Sequence, residues 1–244
     1  MTNLVLLCHF VTLLVKYEIF SKTHINMPRG PSYYACAKKV ATDPRVWKAI
    51  KTIKGMLNVE HKYYDTVPFS GASIDSSGTV AAGTMNLVQG DGGTTRDGDQ
   101  VKAKSIYLQF NTEKHASSTG TELRIIVGLD FRPEGAPPTV ADVLNSASVL
   151  SAMNMDHRRR FKILRDWRTI LSDATATKLT KKWYFPLGKK SRGRRGRRLG
   201  LRLNFAGSTT DEPQNVNLFI LAISDEATNT PSLSMISRVR FVDN

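Results

Sequence analysis

The chain has 244 residues, with 35 Lys and Arg against 21 Asp and Glu, and a formal net charge of +14. A hydrophobic fraction of 41% excludes a fully disordered protein, and two cysteines exclude a disulfide scaffold or a four-cysteine zinc site. Five scattered histidines disfavour a metalloenzyme, and the net charge points to a polyanionic partner, either nucleic acid or an anionic surface.

The positive charge is concentrated in one stretch. Residues 157–202 contain 17 Lys and Arg against two Asp and Glu, an excess of +15 that is larger than the net charge of the whole chain. Residues 27–60 have an excess of +5, whereas residues 61–156 have a net charge of −4. The sequence therefore predicts a nearly neutral body that carries one intensely basic region.

The N-terminal residues 1–26 include an apolar run at 4–15, which is shorter than the roughly 20 residues that a membrane-spanning helix needs. The run also lacks the basic start and the nearby cleavage site of a signal peptide. Met27 offers a second start, so we interpret residues 1–26 as a non-native or disordered extension and predict no membrane span. The choice between translation from Met1 and from Met27 stays open.

Residues 27–60 are predicted to form a basic arm and a short helix. Asp43 and Pro44 supply an N-cap and a first helical residue. Apolar residues then recur at helical spacing, at Val46, Ile50, Ile53 and Leu57. A separate stripe of cations consists of Lys48, Lys51 and Lys54. This stripe is interpreted either as a phosphate-contacting face or as a solvated lysine face, and both interpretations stay open.

Residues 61–244 have the pattern of strands joined by polar turns. The predicted strands are 63–67, 79–88, 101–111, 122–131, 161–171, 178–187, 199–205, 216–224 and 236–242. A short helical piece at 140–144, capped by Thr139, lies in a long connection. Alternation in the third strand predicts one shared face for Val101, Ala103, Ser105, Tyr107 and Gln109. Eight or nine strands without a fixed repeat predict an all-β sandwich or barrel.

The residue patterns of common enzymes are missing. The sequence has no phosphate-binding P-loop, no G-x-S-x-G elbow and no clustered histidines of the kind that a cupin-type enzyme needs. Asp91, Asp97 and Asp99 do not have the spacing of a calcium-binding EF-hand, so we interpret them as a solvated turn. We therefore predict no enzymatic activity, no metal and no cofactor.

The basic region contains two clusters of cations that are candidates for binding nucleic acid. The first cluster consists of Arg158, Arg159, Arg160 and Lys162. The second, in a glycine-interrupted stretch, consists of Lys189, Lys190, Arg192, Arg194, Arg195, Arg197 and Arg198. Interleaved glycines predict a flexible loop that contacts phosphates without reading bases. The same run is compatible with nuclear import. For the neighbouring aromatic residues Trp167, Trp183 and Tyr184, core packing is favoured over base stacking.

Four stretches together resemble the capsid proteins of small circular single-stranded DNA viruses, the CRESS-DNA group. These stretches are 124–144, 147–171, 217–225 and 238–244. The resemblance implies an eight-stranded antiparallel jelly-roll sandwich that self-assembles into a small icosahedral shell around a single-stranded DNA genome. It also implies a virion protein that passes through the host nucleus, with import receptors or surface polyanions as further partners. The chain is similar as well to the satellite-virus type of plant RNA capsid, so the nearer relative and the choice between DNA and RNA stay open.

The chain departs from the CRESS-DNA pattern because its N-terminal arm is only weakly basic, whereas the folded body carries the arginines. If the strands at 161–171, 178–187 and 199–205 are the fifth to seventh of a jelly roll, both basic clusters belong to one end of the domain. This arrangement predicts that Arg159 and Arg195 lie at the same end. Whether the merged patch faces the genome or the exterior stays open, and a non-viral nucleic-acid-binding β module is the alternative to a capsid protein.

Overall fold

The computed structural model describes residues 60–81, 83–188, 200–207 and 211–243, together with Pro44, Val46, Lys48 and Thr52. The chain divides into two units, residues 1–58 and residues 59–244. In the first unit the four described residues have helical backbone, and the Thr52 hydroxyl donates a hydrogen bond to the Lys48 carbonyl at 3.0 Å. This bond spans four residues, as it does where a threonine side chain folds back onto a helix.

The second unit consists of two antiparallel β-sheets. Its elements are β1 Glu60–Ser73, β2 Thr79–Ala81, β3 Gln100–Glu113, β4 Gly120–Asp130, α1 Val140–Val143, β5 Phe161–Ser172, β6 Lys178–Pro186, β7 Leu201–Asn204, β8 Asn217–Ser224 and β9 Ser232–Asp243. One sheet has the order β1-β9-β3-β6, with β7 also paired to β3, and the other has the order β2-β8-β4-β5. Six connections cross between the sheets, namely β1–β2, β2–β3, β3–β4, β5–β6, β7–β8 and β8–β9, whereas β4–β5 and β6–β7 stay within one sheet. This is the arrangement of a jelly roll, so the predicted fold class is confirmed.

The strand β3 shows how the sheet buries its apolar side chains. It first buries Val101 and Ala103, and its register against β9 then shifts between Ala103 and Ser105. A β-bulge of this kind moves the two-residue alternation by one position. The side chains buried beyond the bulge are those of Ile106, Leu108 and Phe110. The predicted common face of Val101, Tyr107 and Gln109 is therefore wrong.

The strand β2 is shorter than predicted and ends at Ala81 rather than at residue 88. Gly83 has a φ of +80°, and its carbonyl accepts a hydrogen bond from the Asn86 amide at 3.1 Å. The chain therefore turns where the β-forming residues predict a continuing strand. The last strand, β9, begins earlier than predicted, at Ser232.

The long connection between β4 and β5, residues 131–160, covers the outer face of the β2-β8-β4-β5 sheet. A separate apolar cluster forms there, made of Ile126, Val143, Leu144, Val149, Phe219, Leu221 and Ile223. Gly128 of β4 provides room for it, because a Cβ atom at this position would lie 2.5 Å from the Cζ atom of Phe219. A larger side chain at 128 would displace the phenyl ring.

Arg124 of β4 ties this connection to the sheet. Its side chain is almost completely buried. The guanidinium donates to both carboxylate oxygens of Asp166 on β5, at 2.9 and 2.7 Å. It also donates to the carbonyls of Val149 and Ser151 in the connection, at 2.9 and 2.6 Å. One cation therefore links three segments and supplies hydrogen bonds to two carbonyls that no strand pairs.

The helix α1 begins at the predicted cap. The Asp142 amide donates to the Thr139 hydroxyl at 3.3 Å, and the Asp142 carboxylate accepts from the Thr139 amide at 2.7 Å. These reciprocal bonds form a capping box. The backbone hydrogen bond from Thr139 lowers the pKa of Asp142 below its ordinary value, because it stabilises the charged carboxylate.

Candidate nucleic-acid interface

The arginine-rich segment interrupts a single edge strand. The Leu187 amide, just after β6, donates to the Lys104 carbonyl at 2.9 Å, and Leu201 at the start of β7 pairs with the next residue, Ala103. The chain therefore leaves the sheet after Leu187 and re-enters it at Leu201, one position further along β3. Strands β6 and β7 therefore share the edge position beside β3, so the nine strands occupy eight strand positions in the sandwich.

Two glycines lie where the chain leaves the sheet after β6 and where it returns before β7. Gly188 and Gly200 form a β-bridge and have φ values of +85° and +89°. A Cβ atom on Gly188 would lie 2.1 Å from the Gly200 carbonyl oxygen, and one on Gly200 would lie 2.9 Å from the Ala103 oxygen. Both the positive φ and the close approach require glycine. The cations of the second cluster, at 189–198, lie outside the described residues.

The first basic cluster lies immediately before and at the start of β5. Arg158, Arg159 and Lys162 are exposed. Arg160 is half-buried and pairs with the carboxylates of Asp130, at 2.9 Å, and Glu134, at 3.5 Å. The hydrogen bond to Asp130 raises the pKa of Arg160. Arg160 therefore links the start of β5 to Asp130 and Glu134 through ion pairs. The predicted nucleic-acid contact stays a prediction for all four cations of this cluster.

Further cations follow the edge strands β5 and β6. The exposed ones are Arg165, Arg168, Lys178, Lys181 and Lys182. The two acids of residues 157–202 do not neutralise this surface, because Asp166 pairs with the buried Arg124 and Asp173 with the buried Lys114, at 3.2 Å. Only Lys178 forms an ion pair within the described part, with Glu113 at 3.2 Å. The sequence analysis did not name these three lysines as candidates. The polar composition of the strand at 178–182 is the signal that could have identified them.

The two basic clusters approach each other in the topology. The chain runs along β5, turns at 173–177 and returns along β6 in the other sheet, so the start of β5 and the end of β6 lie at the same end of the sandwich. Arg159 precedes β5 by two residues, and Gly188 follows β6 by two. The flanks of both clusters therefore share one end, although Arg195 itself lies outside the described residues.

The aromatic residues near these clusters divide into two groups. Trp167 and Trp183 contact each other and Phe110 edge to face, with ring centroids 4.6–5.8 Å apart, which confirms their core packing. The Arg165 guanidinium lies over the Trp183 ring at 5.2 Å. Tyr184, in contrast, is 61% exposed, so the prediction that it packs in the core is wrong. Its side chain points to the outer face because neighbours along a strand alternate.

The N-terminal lysine stripe is described only at Lys48, which is exposed on helical backbone. Lys51 and Lys54 lie outside the described residues. The predicted contact of this stripe with phosphates therefore stays a prediction.

The predicted acidic turn has a more specific arrangement than solvation. The carboxylates of Asp97 and Asp99 pair with two buried cations, Lys62 at 2.7 Å and Arg96 at 3.2 Å. Burial alone would lower the pKa of Lys62, but hydrogen bonds to Asp97 and Glu60 raise it above its ordinary value. Among the described residues, no three His, Cys, Asp or Glu side chains are grouped so that they could hold a metal ion. Nor does any helix in this part of the chain have the length and apolar character that crossing a membrane requires.

The sequence matches known coat and capsid proteins. The family model described as "Satellite tobacco necrosis virus coat protein" matches residues 36–244. A coat protein of Maize white line mosaic Satellite virus is 26% identical over 206 residues, which cover 83% of this chain and 89% of that protein. A capsid protein of Satellite tobacco necrosis virus 1 is 33% identical over 121 residues, covering 48% of this chain and 60% of the relative.

Among solved structures, one from Desmodium yellow mottle tymovirus aligns with 91% of this chain and 96% of that chain, at 8% identity and a TM-score of 0.34. The matching family model and both of these sequence relatives are coat or capsid proteins of satellite viruses. The similarity to satellite-virus capsids is therefore confirmed, whereas the more specific resemblance to CRESS-DNA capsids is not supported.

Proposed function

The chain belongs to the satellite tobacco necrosis virus coat protein family, and we propose that it assembles with further copies of itself into a small shell that packages RNA. Lys and Arg side chains at one end of the β5–β6 side contact the phosphates of the genome. Arg158, Arg159 and Lys162 belong to this contact surface, and so do the cations at 189–198. Because these contacts are made to phosphates, packaging tolerates different base sequences.

One observation carries this proposal, the unneutralised positive charge of the β5–β6 side. The only two acids of residues 157–202 pair with buried cations, so the exposed arginines and lysines have no matching acids from their own stretch. A folded domain gains no stability from concentrating like charges on one side. An external polyanion supplies the missing negative charge.

RNA replaces the single-stranded DNA that the CRESS-DNA resemblance implies. The matched relatives are coat or capsid proteins of satellite viruses. The sequence is similar to the satellite-virus type of plant RNA capsid, and this similarity favours RNA over DNA. The comparisons do not support the predicted passage through the host nucleus with its import receptors. Location in the virion follows from the coat-protein family.

Electron microscopy of the purified full-length chain tests the assembly. We expect closed particles whose contents resist nuclease until the shell is opened and are then digested by ribonuclease but not by deoxyribonuclease. If the chain stays monomeric or dimeric across salt and pH, it is not a capsid protein and the alternative of a non-assembling nucleic-acid-binding module holds. If the contents are DNA, the RNA part of the proposal is wrong.

A salt titration tests the role of the exposed arginines. Each phosphate contact to a single strand contributes about 0.7 to the slope of log affinity against log salt. Replacing Arg158 and Arg159 with glutamine should lower RNA affinity and flatten this slope by about one to two units. Lysine at both positions is the matched control, because it keeps the charges and should keep the slope. An unchanged slope in the glutamine variant would remove these two arginines from the genome contact.

A further inference from the structure

The outer faces of the two sheets differ in what they present. The β4–β5 connection covers one of them with an apolar cluster. The outer face of the β1-β9-β3-β6 sheet instead presents aromatic and basic side chains, all exposed except the half-buried Tyr107, and neither basic cluster of the sequence analysis includes them. We call this surface the tyrosine face and define it by six residues: Tyr63, Tyr107, Lys182, Tyr184, Arg238 and Arg240.

The strand register aligns these side chains. Arg238 on β9 lies opposite Tyr107 on β3, and Tyr107 lies opposite Tyr184 on β6. Two residues further along β9, Arg240 lies opposite Tyr63 on β1. Directly paired side chains on one face of a sheet lie about 5 Å apart. The tyrosine face is therefore a surface to which four adjacent strands contribute rings and cations.

The charge of the tyrosine face is positive. The carboxylate of Asp65, beside this face, accepts two hydrogen bonds from Arg238, both at 2.7 Å, and this pairing lowers the pKa of Asp65. The Arg238 guanidinium also lies 4.9 Å from the centre of the Tyr63 ring. Arg240 and Lys182 are exposed and form no ion pair within the part of the chain that the structure describes. Two cations are therefore left for an anionic partner.

We propose that the tyrosine face binds unpaired stretches of the packaged RNA, with bases stacked on the tyrosine rings and phosphates beside Arg240 and Lys182. Stacking on aromatic rings is tolerant of sequence because every base has a π-face, and it requires bases that are not paired. The face adjoins the candidate interface, since Lys182 and Tyr184 belong to the edge strand β6. This inference rests on the proposed packaging of RNA and adds a contact to bases.

A second copy of this chain is the competing occupant, because tyrosine and arginine are also common in protein interfaces. The excess of cations on the tyrosine face favours RNA, because phosphates supply the opposite charge. Separate measurements of RNA binding and of assembly distinguish the two occupants.

Replacing Tyr184 or Tyr63 with leucine keeps an apolar side chain and removes the π-system. Two probes are titrated against each full-length variant, a short oligoadenylate and inorganic polyphosphate, which has phosphates but no bases. We expect about tenfold weaker binding of oligoadenylate for each leucine variant and unchanged binding of polyphosphate. Phenylalanine at the same positions is the matched control and should bind oligoadenylate like the wild type. Arg240→Gln should weaken the binding of both probes.

Several outcomes would overturn the inference. Wild-type affinity for oligoadenylate in both leucine variants would show that the rings do not stack on bases. Loss of assembly with unchanged affinity would assign the face to contacts between copies. A wild-type chain that binds neither probe would defeat the proposed function itself, which distinguishes that failure from the failure of this inference. Far-UV circular dichroism checks that each variant is folded.

Discussion

Replacing Arg124 with methionine should detach the β4–β5 connection from the sheet. The methionine fills most of the space of the arginine stem but makes none of the four hydrogen bonds to Asp166, Val149 and Ser151. Removing one partner of a buried ion pair costs about 3–5 kcal/mol. The Asp166 side chain is 34% exposed, so water solvates it and the cost falls to the lower part of that range. The two carbonyls that lose a donor add about 1 kcal/mol, which gives a total of about 4 kcal/mol.

Denaturant unfolding of the full chain, at protein concentrations below assembly, measures this loss. In a domain of this size a loss of about 4 kcal/mol lowers the melting temperature by about 10 °C. Arg168 is the matched control, because it lies directly opposite Arg124 on β5 and is exposed. Arg168→Met should cost less than about 0.5 kcal/mol. Limited proteolysis within 131–160 should be faster only in the Arg124 variant.

The reasoning about Arg124 would be refuted if Arg124→Met cost no more than Arg168→Met. A double-mutant cycle with Asp166→Leu sharpens the test. The second replacement removes the carboxylate that the first leaves unpaired, so the double variant should be more stable than the sum of the two losses predicts. If the free-energy losses of the two single variants simply add in the double variant, Arg124 and Asp166 do not interact.

Three other substitutions test the packing, the loop base and the helix cap. Gly128→Ala should cost about 1–3 kcal/mol because its Cβ overlaps a phenyl ring. Gly120→Ala, where the nearest contact is an ordinary 3.7 Å, should cost much less in the same unfolding assay. Gly188→Ala should destabilise the domain more than Gly135→Ala, because both have positive φ but only Gly188 also lies against its partner glycine. The lowered pKa of Asp142 means that its stabilising contribution is complete above the ordinary value of 3.8 and is lost as pH falls through the lowered value. Asp142→Asn should therefore flatten the acid side of the stability profile, and an unchanged profile would contradict the cap.

The strands and the helix cap could be predicted from the sequence because local signals specify them. The strand at 161–171 is bounded by polar turns, and the structure has β5 at Phe161–Ser172. Thr139 stands three residues before Asp142, which is the spacing that a capping box requires. The order of elements was sufficient to predict an all-β sandwich or barrel, whereas the jelly roll was implied by the resemblance to viral capsid proteins.

The features that failed to be predicted depend on contacts between distant segments. The bulge beside Ala103 inverts the faces of β3, and nothing in the residues 101–109 themselves marks its position. Arg124 and Lys62 belong to a class of residue that is usually exposed, yet both are buried because carboxylates from other segments neutralise them. Tyr184 faces outward because the preceding residue, Trp183, is buried and neighbours along a strand alternate between faces.

The interruption of the edge strand between Leu187 and Leu201 leaves both of its flanks paired with β3. The register of the sheet is set by Lys104 and Ala103, which pair with the chain on either side of the excursion. Lengthening the chain between two fixed points costs little, about 0.6 kcal/mol for each doubling of its length. We therefore expect that residues 189–199 can be shortened, extended or replaced by a foreign peptide while the two glycines keep the domain folded. A change in the length or charge of residues 189–199 is therefore expected to leave the pairing of both flanks with β3 unchanged.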